Sequence, residues 1–441
     1  MIHGMKNIGI AVPEVLLPNP EVDLEKWAVV ACDQYTSEPE YWAEVEKFTG
    51  DSPSTLHMIF PEVYLGKGNE QERINKINNT MKEYLERNVL VPQKRGFVYV
   101  DREISHSKSR KGLIMLIDLE HYDYNRGSGT LVRATEGTIL DRLPPRVKIR
   151  ENAVIESPHI MLLIDDPEMT VIEPIAAQAD KFEKLYDFDL MKNGGHIRGY
   201  LVSDDKYIES ICKALAKLAD KKTFQDKYGL GNDSKVLLFA AGDGNHSLAT
   251  AKVCWENLKK SISESEYETH PARYALVEVV NIHDEGLIFE PIHRVLFNVS
   301  TDKFLCDIVD YFNNKPSSKC CITDSRKAAG ENIHSIEFIS GKKCGFFEIE
   351  NSGFNLEVAA LQDFLDKYLK DNPGITIDYI HGAESLKKLC RGDNNIGFLL
   401  QPMKKSDLFK TVILDGSLPK KTFSMGEAEE KRYYLECRKI R

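Results

Sequence analysis

The most restrictive feature of this chain is an apolar run, a glycine-flanked turn and a helical pattern in direct succession. Residues 234–241 read Ser-Lys-Val-Leu-Leu-Phe-Ala-Ala, which is apolar enough for a buried strand. The turn at residues 242–244 reads Gly-Asp-Gly. After the turn, four apolar residues recur at helical spacing: Leu248, Ala251, Trp255 and Leu258. A strand that passes through a tight turn into an amphipathic helix is typical of α/β proteins, so this segment predicts an α/β fold.

The turn has the chemistry of an anion site. The first N–H groups of a helix have no partner within the helix, and the positive end of the helix dipole lies at the same point. Gly242 and Gly244 allow a ligand to approach the backbone closely, because neither has a Cβ atom. Three further residues add side-chain donors at the helix start: Asn245, His246 and Ser247. Phosphate is the typical ligand of such a turn, which favours a protein that handles nucleotide phosphates.

Asp243 is the exception among these residues, since a carboxylate repels a phosphate unless a cation lies between them. Asp243 is therefore a candidate Mg²⁺ ligand or proton acceptor. The segment matches neither the Walker A pattern nor the dinucleotide-binding glycine pattern. The alternative is an ordinary tight turn at Asp243 and Gly244, with Asn245 or Ser247 as the helix cap.

The length of the chain sets its domain organisation. With 441 residues, it is long enough for two or three compact units, because single cores rarely grow beyond about 250 to 300 residues. The sequence Arg-Gly-Ser-Gly at residues 126–129 predicts a turn and a boundary. We therefore predict an N-terminal α/β region at residues 1–129, a catalytic core at residues 130–300 and a C-terminal α/β region at residues 301–441.

Composition disfavours several classes of protein. The chain has 58 Lys and Arg against 68 Asp and Glu, and its formal charge of -10 disfavours nucleic acid and anionic membranes as partners. No apolar run approaches the roughly 20 residues of a membrane helix. The nine cysteines, without a CxxC pair, are typical of a reducing compartment, so we predict a cytoplasmic protein. The sequence leaves the oligomeric state open.

Periodicity predicts further elements outside the turn. Helical spacing of apolar residues predicts helices at residues 73–89, 208–218 and 361–369. Apolar runs predict strands at residues 160–164 and 345–350. Asn-Gly-Gly at residues 193–195 predicts a hairpin turn.

Four short motifs occur in order along residues 133–423. Residues 135–142 read Thr-Glu-Gly-Thr-Ile-Leu-Asp-Arg, and residues 243–247 read Asp-Gly-Asn-His-Ser. Residues 291–294 read Pro-Ile-His-Arg, and residues 419–422 read Pro-Lys-Lys-Thr. In this order they resemble the His-Glu-x-Thr…Asp-Arg, Asp-Gly-His-His-Arg, Pro-Thr-His-Arg and Pro-Lys-Ser-Thr motifs of a bacterial family, domain of unknown function 1015.

Resemblance to that family implies a place in the ParB/sulfiredoxin-like superfamily, which also contains the free-serine kinases. The resemblance implies a mixed α/β (α+β) fold with a ParB/sulfiredoxin-like nucleotide-binding core and N- and C-terminal α/β additions. It covers the last two-thirds of the chain well and the first third loosely.

The resemblance also implies roles for individual residues. In the serine kinases the glutamate of the first motif acts as general base on the serine hydroxyl, which makes Glu136 the base here and Asp243 the second carboxylate. Mg²⁺ would bridge the phosphates, with Asp243 as a ligand. The groups that hold the phosphates of ATP or ADP would be Gly242, Gly244, Asn245, His246 and Ser247, joined by Lys421 and Thr422 from the C-terminal region.

The substrate needs its own contacts. A carboxylate on the acceptor requires a cationic partner. Arg133 and Arg142 are the candidates nearest in sequence to the first motif. His293 and Arg294 are either further substrate contacts or a structural site that closes a strand.

Two departures from the family pattern concern charge. Asn245 replaces the first histidine of the hallmark motif and Ser247 replaces its arginine, which removes two potential positive charges. Either Lys420 and Lys421 replace that charge or the substrate differs. Whether residues 33–35, Asp-Gln-Tyr, reach the site is a question that only a structure decides.

Three functions compete. The leading interpretation is a nucleotide-dependent kinase that converts free L-serine to O-phosphoserine, which connects the protein to serine metabolism. A phosphatase or nucleotidase would use the same turn, with Glu136 activating water. The third is a ParB-like nucleotide-binding module without small-molecule chemistry, which the negative charge and the lack of a basic DNA-binding stripe oppose.

Overall fold

The computed structural model describes residues 5–104, 107–326, 332–392 and 394–441. The fold is mixed α/β, as predicted. The chain forms two compact units, the first made of Met1–Ile288 with Met425–Arg441 and the second of Phe289–Ser424.

The strands, in chain order, are β1 (Ile10–Ala11), β2 (Leu16–Pro18), β3 (Val29–Val30), β4 (Leu90–Pro92), β5 (Phe97–Ile104), β6 (Ser107–Asp118), β7 (Tyr122–Asp123), β8 (Val132–Ala134), β9 (Ile155–Glu156), β10 (Met161–Ile164), β11 (Glu183–Asp189), β12 (His196–Val202), β13 (Phe239–Asp243), β14 (Tyr274–Asn281), β15 (Phe289–Phe297), β16 (Lys319–Thr323), β17 (Ile333–Ser340), β18 (Lys343–Glu350), β19 (Thr376–His381), β20 (Asn395–Leu399), β21 (Phe423–Met425), β22 (Tyr433–Tyr434) and β23 (Arg438–Lys439). The α-helices are α1 (Leu24–Trp27), α2 (Pro39–Thr49), α3 (Glu70–Glu86), α4 (Leu143–Arg150), α5 (Glu173–Ala176), α6 (Asp205–Leu218), α7 (Lys221–Tyr228), α8 (Asn245–Lys259), α9 (Glu264–Tyr267), α10 (Thr301–Asn313), α11 (Glu357–Asp371), α12 (Ala383–Leu389) and α13 (Lys405–Asp415).

The first unit is built on a ten-stranded sheet in the order β11-β12-β5-β6-β14-β10-β13-β8-β7, with β1 paired to β6. Alternate residues of β5 enter two different cores. Phe97 and Tyr99 pack into one core, and Val98 and Val100 pack into the other. Because successive side chains of a strand point to opposite faces, the sheet is covered on both sides.

The predicted elements are largely confirmed. The helices correspond to α3, α6 and α11, the strands to β10 and β18, and the hairpin turn joins the antiparallel pair β11 and β12. The strand before the glycine turn differs from the prediction, because β13 begins at Phe239 and continues through Asp243. Leu237 and Leu238 are buried without belonging to the strand, so their apolar character reflects core packing rather than strand pairing.

The division into units differs from the predicted three regions. Strands β5 and β6 precede residue 129 and strands β8, β10 and β13 follow it, yet all five belong to one sheet. The C-terminal segment returns to the first unit, where β22 pairs with β3 and β23 pairs with β9. Composition marks turns, but backbone pairing between distant segments decides which strands share a sheet.

Buried ion pairs hold the C-terminal segment in the first unit. Arg432, which is 3% exposed, donates to the carboxylates of Glu278 on β14 and Glu436. Glu436 is fully buried and also accepts from the hydroxyl of Tyr186 on β11. The segment is therefore fixed by charges that are shielded from solvent.

The second unit contains a seven-stranded sheet in the order β16-β18-β17-β20-β15-β19, with β21 paired to β15. Phe304 of α10 is fully buried against aromatic residues of the sheet and of α11: Phe347, Phe364 and Phe398. This aromatic cluster packs the helices onto the sheet.

Candidate active site

Strand pairing brings two of the predicted motifs together. Strands β8 and β13 are parallel, with Ala134 opposite Ala241. Their carboxyl ends therefore meet at one edge of the sheet, and Glu136 follows β8 at this edge, where β13 ends at Asp243. The hydroxyl of Thr135 donates to the Ala241 carbonyl at 2.6 Å, which ties the first motif to the turn.

The turn itself depends on Gly244. This residue is the N-cap of α8 and has a left-handed backbone with φ of 73°. A Cβ atom at this position would lie 2.9 Å from the Cα atom of Ile160, just before β10. The Gly244 N–H group donates to the Asp243 carboxylate at 2.9 Å. The turn is thus fixed by backbone conformation and by close packing on Ile160.

We expect Gly244→Ala to destabilise the protein more than Gly229→Ala does. Gly229 is the C-cap of α7, has φ of 65° and would place a Cβ atom in open space. Left-handed strain alone costs about 1 to 2 kcal/mol at either position, and overpacking against Ile160 adds about 1 kcal/mol or more for Gly244→Ala. Urea unfolding of both variants measures the difference, and equal losses would show that the Ile160 contact is unimportant.

His246, in the first turn of α8, is a neutral hydrogen-bond donor. The Ile139 N–H group donates to His246 Nε2 at 3.3 Å, so the proton of the neutral ring is assigned to Nδ1. Burial, together with the positive charges of Arg146 and Arg142, lowers the pKa of His246 to about 4. At neutral pH the ring therefore offers one N–H group and no charge.

This environment predicts how His246 titrates. We expect a pKa near 4 in the free protein and a rise when inorganic phosphate binds, because an anion beside the ring favours its protonated form. The contribution of His246 to stability is complete above about pH 6.5, the usual pKa of histidine, and is lost as the pH falls toward 4, since only the unfolded state binds the proton there. Histidine NMR titration with and without phosphate, with His246→Gln to assign the signal, measures both values. A free-protein pKa near 6.5 would contradict the assignment.

A group of polar contacts around His159, which the sequence did not predict, lies next to Ser247. His159, just before β10, is 5% exposed, and its Nε2 atom lies 3.3 Å from Ser247 Oγ and 3.6 Å from Asp33 Oδ2. Its Nδ1 atom lies 2.7 Å from the hydroxyl of Tyr434. The segment at residues 33–35 thus reaches the site through Asp33.

The His159–Asp33 pair has the electrostatics of an ion pair. Burial alone lowers the pKa of His159, but the Asp33 carboxylate, with Asp243 and Glu62, raises it above its usual value. Burial alone raises the pKa of Asp33, and the positive charge of His159 reverses this and lowers it. The charge of Asp33 thus favours the protonated form of His159, whose ring lies beside the side chain of Ser247.

Asp243 also has a cation beside it. Lys431 Nζ lies 3.4 Å from Asp243 Oδ2, and this lysine comes from the C-terminal segment of the first unit. Sequence order alone does not connect the two residues, because they are far apart in the chain and meet only through the return of that segment.

Comparison with known proteins supports the motif resemblance. A family model described as "Protein of unknown function (DUF1015)" matches residues 15–368. The chain belongs to this family. Comparison with curated proteins finds no match. In the part of the chain that the structure describes, no helix combines the length and the apolar character needed to cross a membrane.

Solved structures with weak similarity to this DUF1015 protein include a free serine kinase in complex with AMP, with 10% identity, a TM-score of 0.38 and coverage of 74% of this chain and 92% of that one. A conserved hypothetical protein from Pyrococcus furiosus has 11% identity, a TM-score of 0.36 and coverage of 74% and 95%. SbnI with a C-terminal truncation, from Staphylococcus aureus, has 11% identity, a TM-score of 0.33 and coverage of 71% and 83%.

Arg133 binds the backbone of its own unit, and its predicted substrate role stays a prediction. It is 6% exposed, and its guanidinium donates to the backbone carbonyls of Thr130, Lys235 and Val236 at 2.8 to 3.0 Å. A buried guanidinium must find acceptors, and the segment that leads into β13 supplies them. Arg142 is exposed at the end of a short 3-10 helix, and its carbonyl accepts from Arg146 at 2.7 Å. Arg142 keeps its predicted substrate role as a proposal.

Four predicted site residues lie in the second unit. His293 is 4% exposed and accepts from the Leu400 N–H group at 3.2 Å. Arg294 is fully buried and donates to the carbonyls of Ile292 and Lys420. These contacts favour the structural alternative for both residues.

The other two residues lie next to this contact. Lys421 has a left-handed backbone with φ of 57°, and the hydroxyl of Thr422 donates to the Pro419 carbonyl at 2.7 Å. A left-handed lysine is strained, which is common at functional turns. The contribution of Lys421 and Thr422 to phosphate binding stays a prediction.

The donors available for Mg²⁺ are few. Among the described residues no group of three or more His, Cys, Asp or Glu side chains is arranged to hold a metal ion. Mg²⁺ needs only one or two protein carboxylates when phosphates complete its coordination. Asp243 suits that limited role, although Lys431 already neutralises part of its charge.

Proposed function

We propose that this DUF1015 protein is a phosphotransferase that moves a phosphoryl group from ATP or ADP to the hydroxyl group of free L-serine. The observation that carries the proposal is the parallel pairing of β8 with β13, which sets Glu136 and Asp243 at one sheet edge beside the start of α8. Transfer to an alcohol needs a carboxylate that accepts the hydroxyl proton next to a site that holds phosphate. The family motifs make L-serine the first acceptor to test.

Each residue has a defined task in this scheme. Glu136 accepts the proton of the acceptor hydroxyl as the new P–O bond forms. The first N–H groups of α8 and the Nδ1–H group of His246 hold phosphate oxygens. A protonated His159 would donate from Nε2 to Ser247 Oγ, 3.3 Å away, and so leave the Ser247 hydroxyl proton free for the ligand. Mg²⁺ bound with the nucleotide would neutralise phosphate charge, with Asp243 as its protein ligand.

Phosphorus NMR of the purified protein tests the proposal. The protein is incubated with Mg²⁺ and L-serine, with ATP in one sample and ADP in another, and matched samples omit L-serine. A phosphomonoester signal that requires L-serine supports the kinase and identifies its donor. Free phosphate that forms equally without L-serine would identify a hydrolase instead. Nucleotide binding without turnover in either sample would favour a ParB-like binding module.

A further inference from the structure

The first unit contains a cavity of about 150 Å³ that reaches the start of α8. Ser247 and Thr250 of α8 form part of its wall, and His159 lies next to them. Most of the wall is apolar, with contributions from Met58, Ile59, Phe60, Leu65, Met81 and Ile155. An apolar cavity of about this volume in another protein holds a benzene-sized molecule. The cavity thus has room for several methylene groups next to the candidate phosphate turn.

The wall also carries an ion pair. Glu62 and Arg146 form a salt bridge with side chains 18% and 15% exposed. The Glu62 N–H group donates to the Cys32 carbonyl at 2.8 Å, which holds Glu62 near Asp33. Burial raises the pKa of Glu62, Arg146 opposes this, and Asp33 raises it again because two carboxylates are close together. An additional positive group at this point would relieve the repulsion between the carboxylates.

An α-amino acid has the groups that complement this wall. Its ammonium group pairs with a carboxylate, and its carboxylate pairs with a guanidinium. Glu62 and Arg146 supply both partners on the wall of one cavity. The side chain of free serine has a single methylene group, which leaves most of the apolar wall without contacts.

We propose that this cavity binds the amino-acid acceptor, and that it binds hydroxylated α-amino acids with a hydrocarbon side chain longer than that of serine more tightly than L-serine itself. The phosphoryl step rests on the proposed function, whereas binding in the cavity does not. The ammonium and carboxylate groups pair with Glu62 and Arg146, and the methylene groups contact the apolar wall. In the transfer step the acceptor oxygen bonds to phosphorus, the bond from phosphorus to the leaving nucleotide breaks, and the hydroxyl proton goes to Glu136.

A homologous series of acceptors tests the proposal with the full-length protein. The series is L-serine, L-homoserine, L-5-hydroxynorvaline and L-6-hydroxynorleucine, with Kd measured by calorimetry and kcat/KM measured with the active nucleotide. Each additional buried methylene is expected to tighten Kd about fourfold. A Kd that does not change along the series would overturn the cavity proposal even if L-serine is phosphorylated. Tightening of Kd without any phosphoryl transfer would instead overturn the proposed function and leave the cavity proposal standing.

A cavity-filling variant locates the binding. Ala153 is 3% exposed and lines the cavity, so Ala153→Leu reduces its volume. We expect this variant to lose the gain in affinity along the series, and to keep or raise the Tm because it fills empty space. Ala216→Leu, at an exposed position of α6, is the matched control. In this variant Kd should still tighten about fourfold with each added methylene. The same tightening in a folded Ala153→Leu variant would place the acceptor elsewhere and overturn the proposal.

Discussion

Replacement of Glu136 by glutamine is expected to lower phosphoryl transfer by about 100- to 10,000-fold while nucleotide binding is retained. Glutamine has the size of glutamate but cannot accept the hydroxyl proton. Glu136 follows β8, whereas the proposed phosphate-binding groups lie at the start of α8, which follows β13, so proton transfer and phosphate binding are assigned to different segments. Kinetic assays and calorimetry with the nucleotide measure the two effects separately.

The control for this variant is Glu168→Gln, which makes the same change at an exposed position outside the site. It should turn over at the wild-type rate. Wild-type turnover by Glu136→Gln would show that another group is the base, and loss of nucleotide binding would show that Glu136 acts in binding rather than in proton transfer.

The second large effect concerns stability. Arg432→Ala is expected to lower the free energy of unfolding by about 3 to 5 kcal/mol, because it removes the guanidinium that donates to two buried carboxylates, those of Glu278 and Glu436. Glu278 is 1% exposed and Glu436 is fully buried, so water cannot replace the lost guanidinium. A loss of this size is a large fraction of the stability of a typical domain.

Urea unfolding followed by tryptophan fluorescence measures this effect in the relevant unit, because Trp27, Trp42 and Trp255 are all fully buried in the first unit. The control is Arg87→Ala, which removes an exposed ion pair with Glu83 and should cost no more than about 1 kcal/mol. Similar losses in the two variants would show that the buried pairs do not anchor the C-terminal segment.

The stability and the chemistry of the first unit are connected by this segment. Arg432 lies next to Lys431, which neutralises Asp243, and Tyr434 contacts His159. We therefore expect a destabilised segment to weaken phosphate binding as well. A phosphate titration of Arg432→Ala below its unfolding transition measures this coupling.

Local sequence determined the turn and the elements on either side of it. The apolar run, the glycine turn and the helical spacing of residues 248–258 act over short distances in the chain, so they predict a strand, a tight turn and a helix without knowledge of the fold. The order of the family motifs likewise indicated that Glu136 and Asp243 belong to one site. The parallel pairing of β8 with β13 is consistent with this prediction.

Tertiary structure decided which other side chains surround that turn. His159, Asp33 and Lys431 come from distant parts of the chain, and only sheet pairing and the return of the C-terminal segment bring them near α8. The only local signal for His159 was a polar residue directly before a buried strand. Arg133 shows the opposite case: it lies in the right motif, but its burial directs the guanidinium to backbone carbonyls. Local periodicity predicts the secondary structure of adjacent residues. The positions of the charged side chains around the site depend instead on long-range packing, which no local pattern contains.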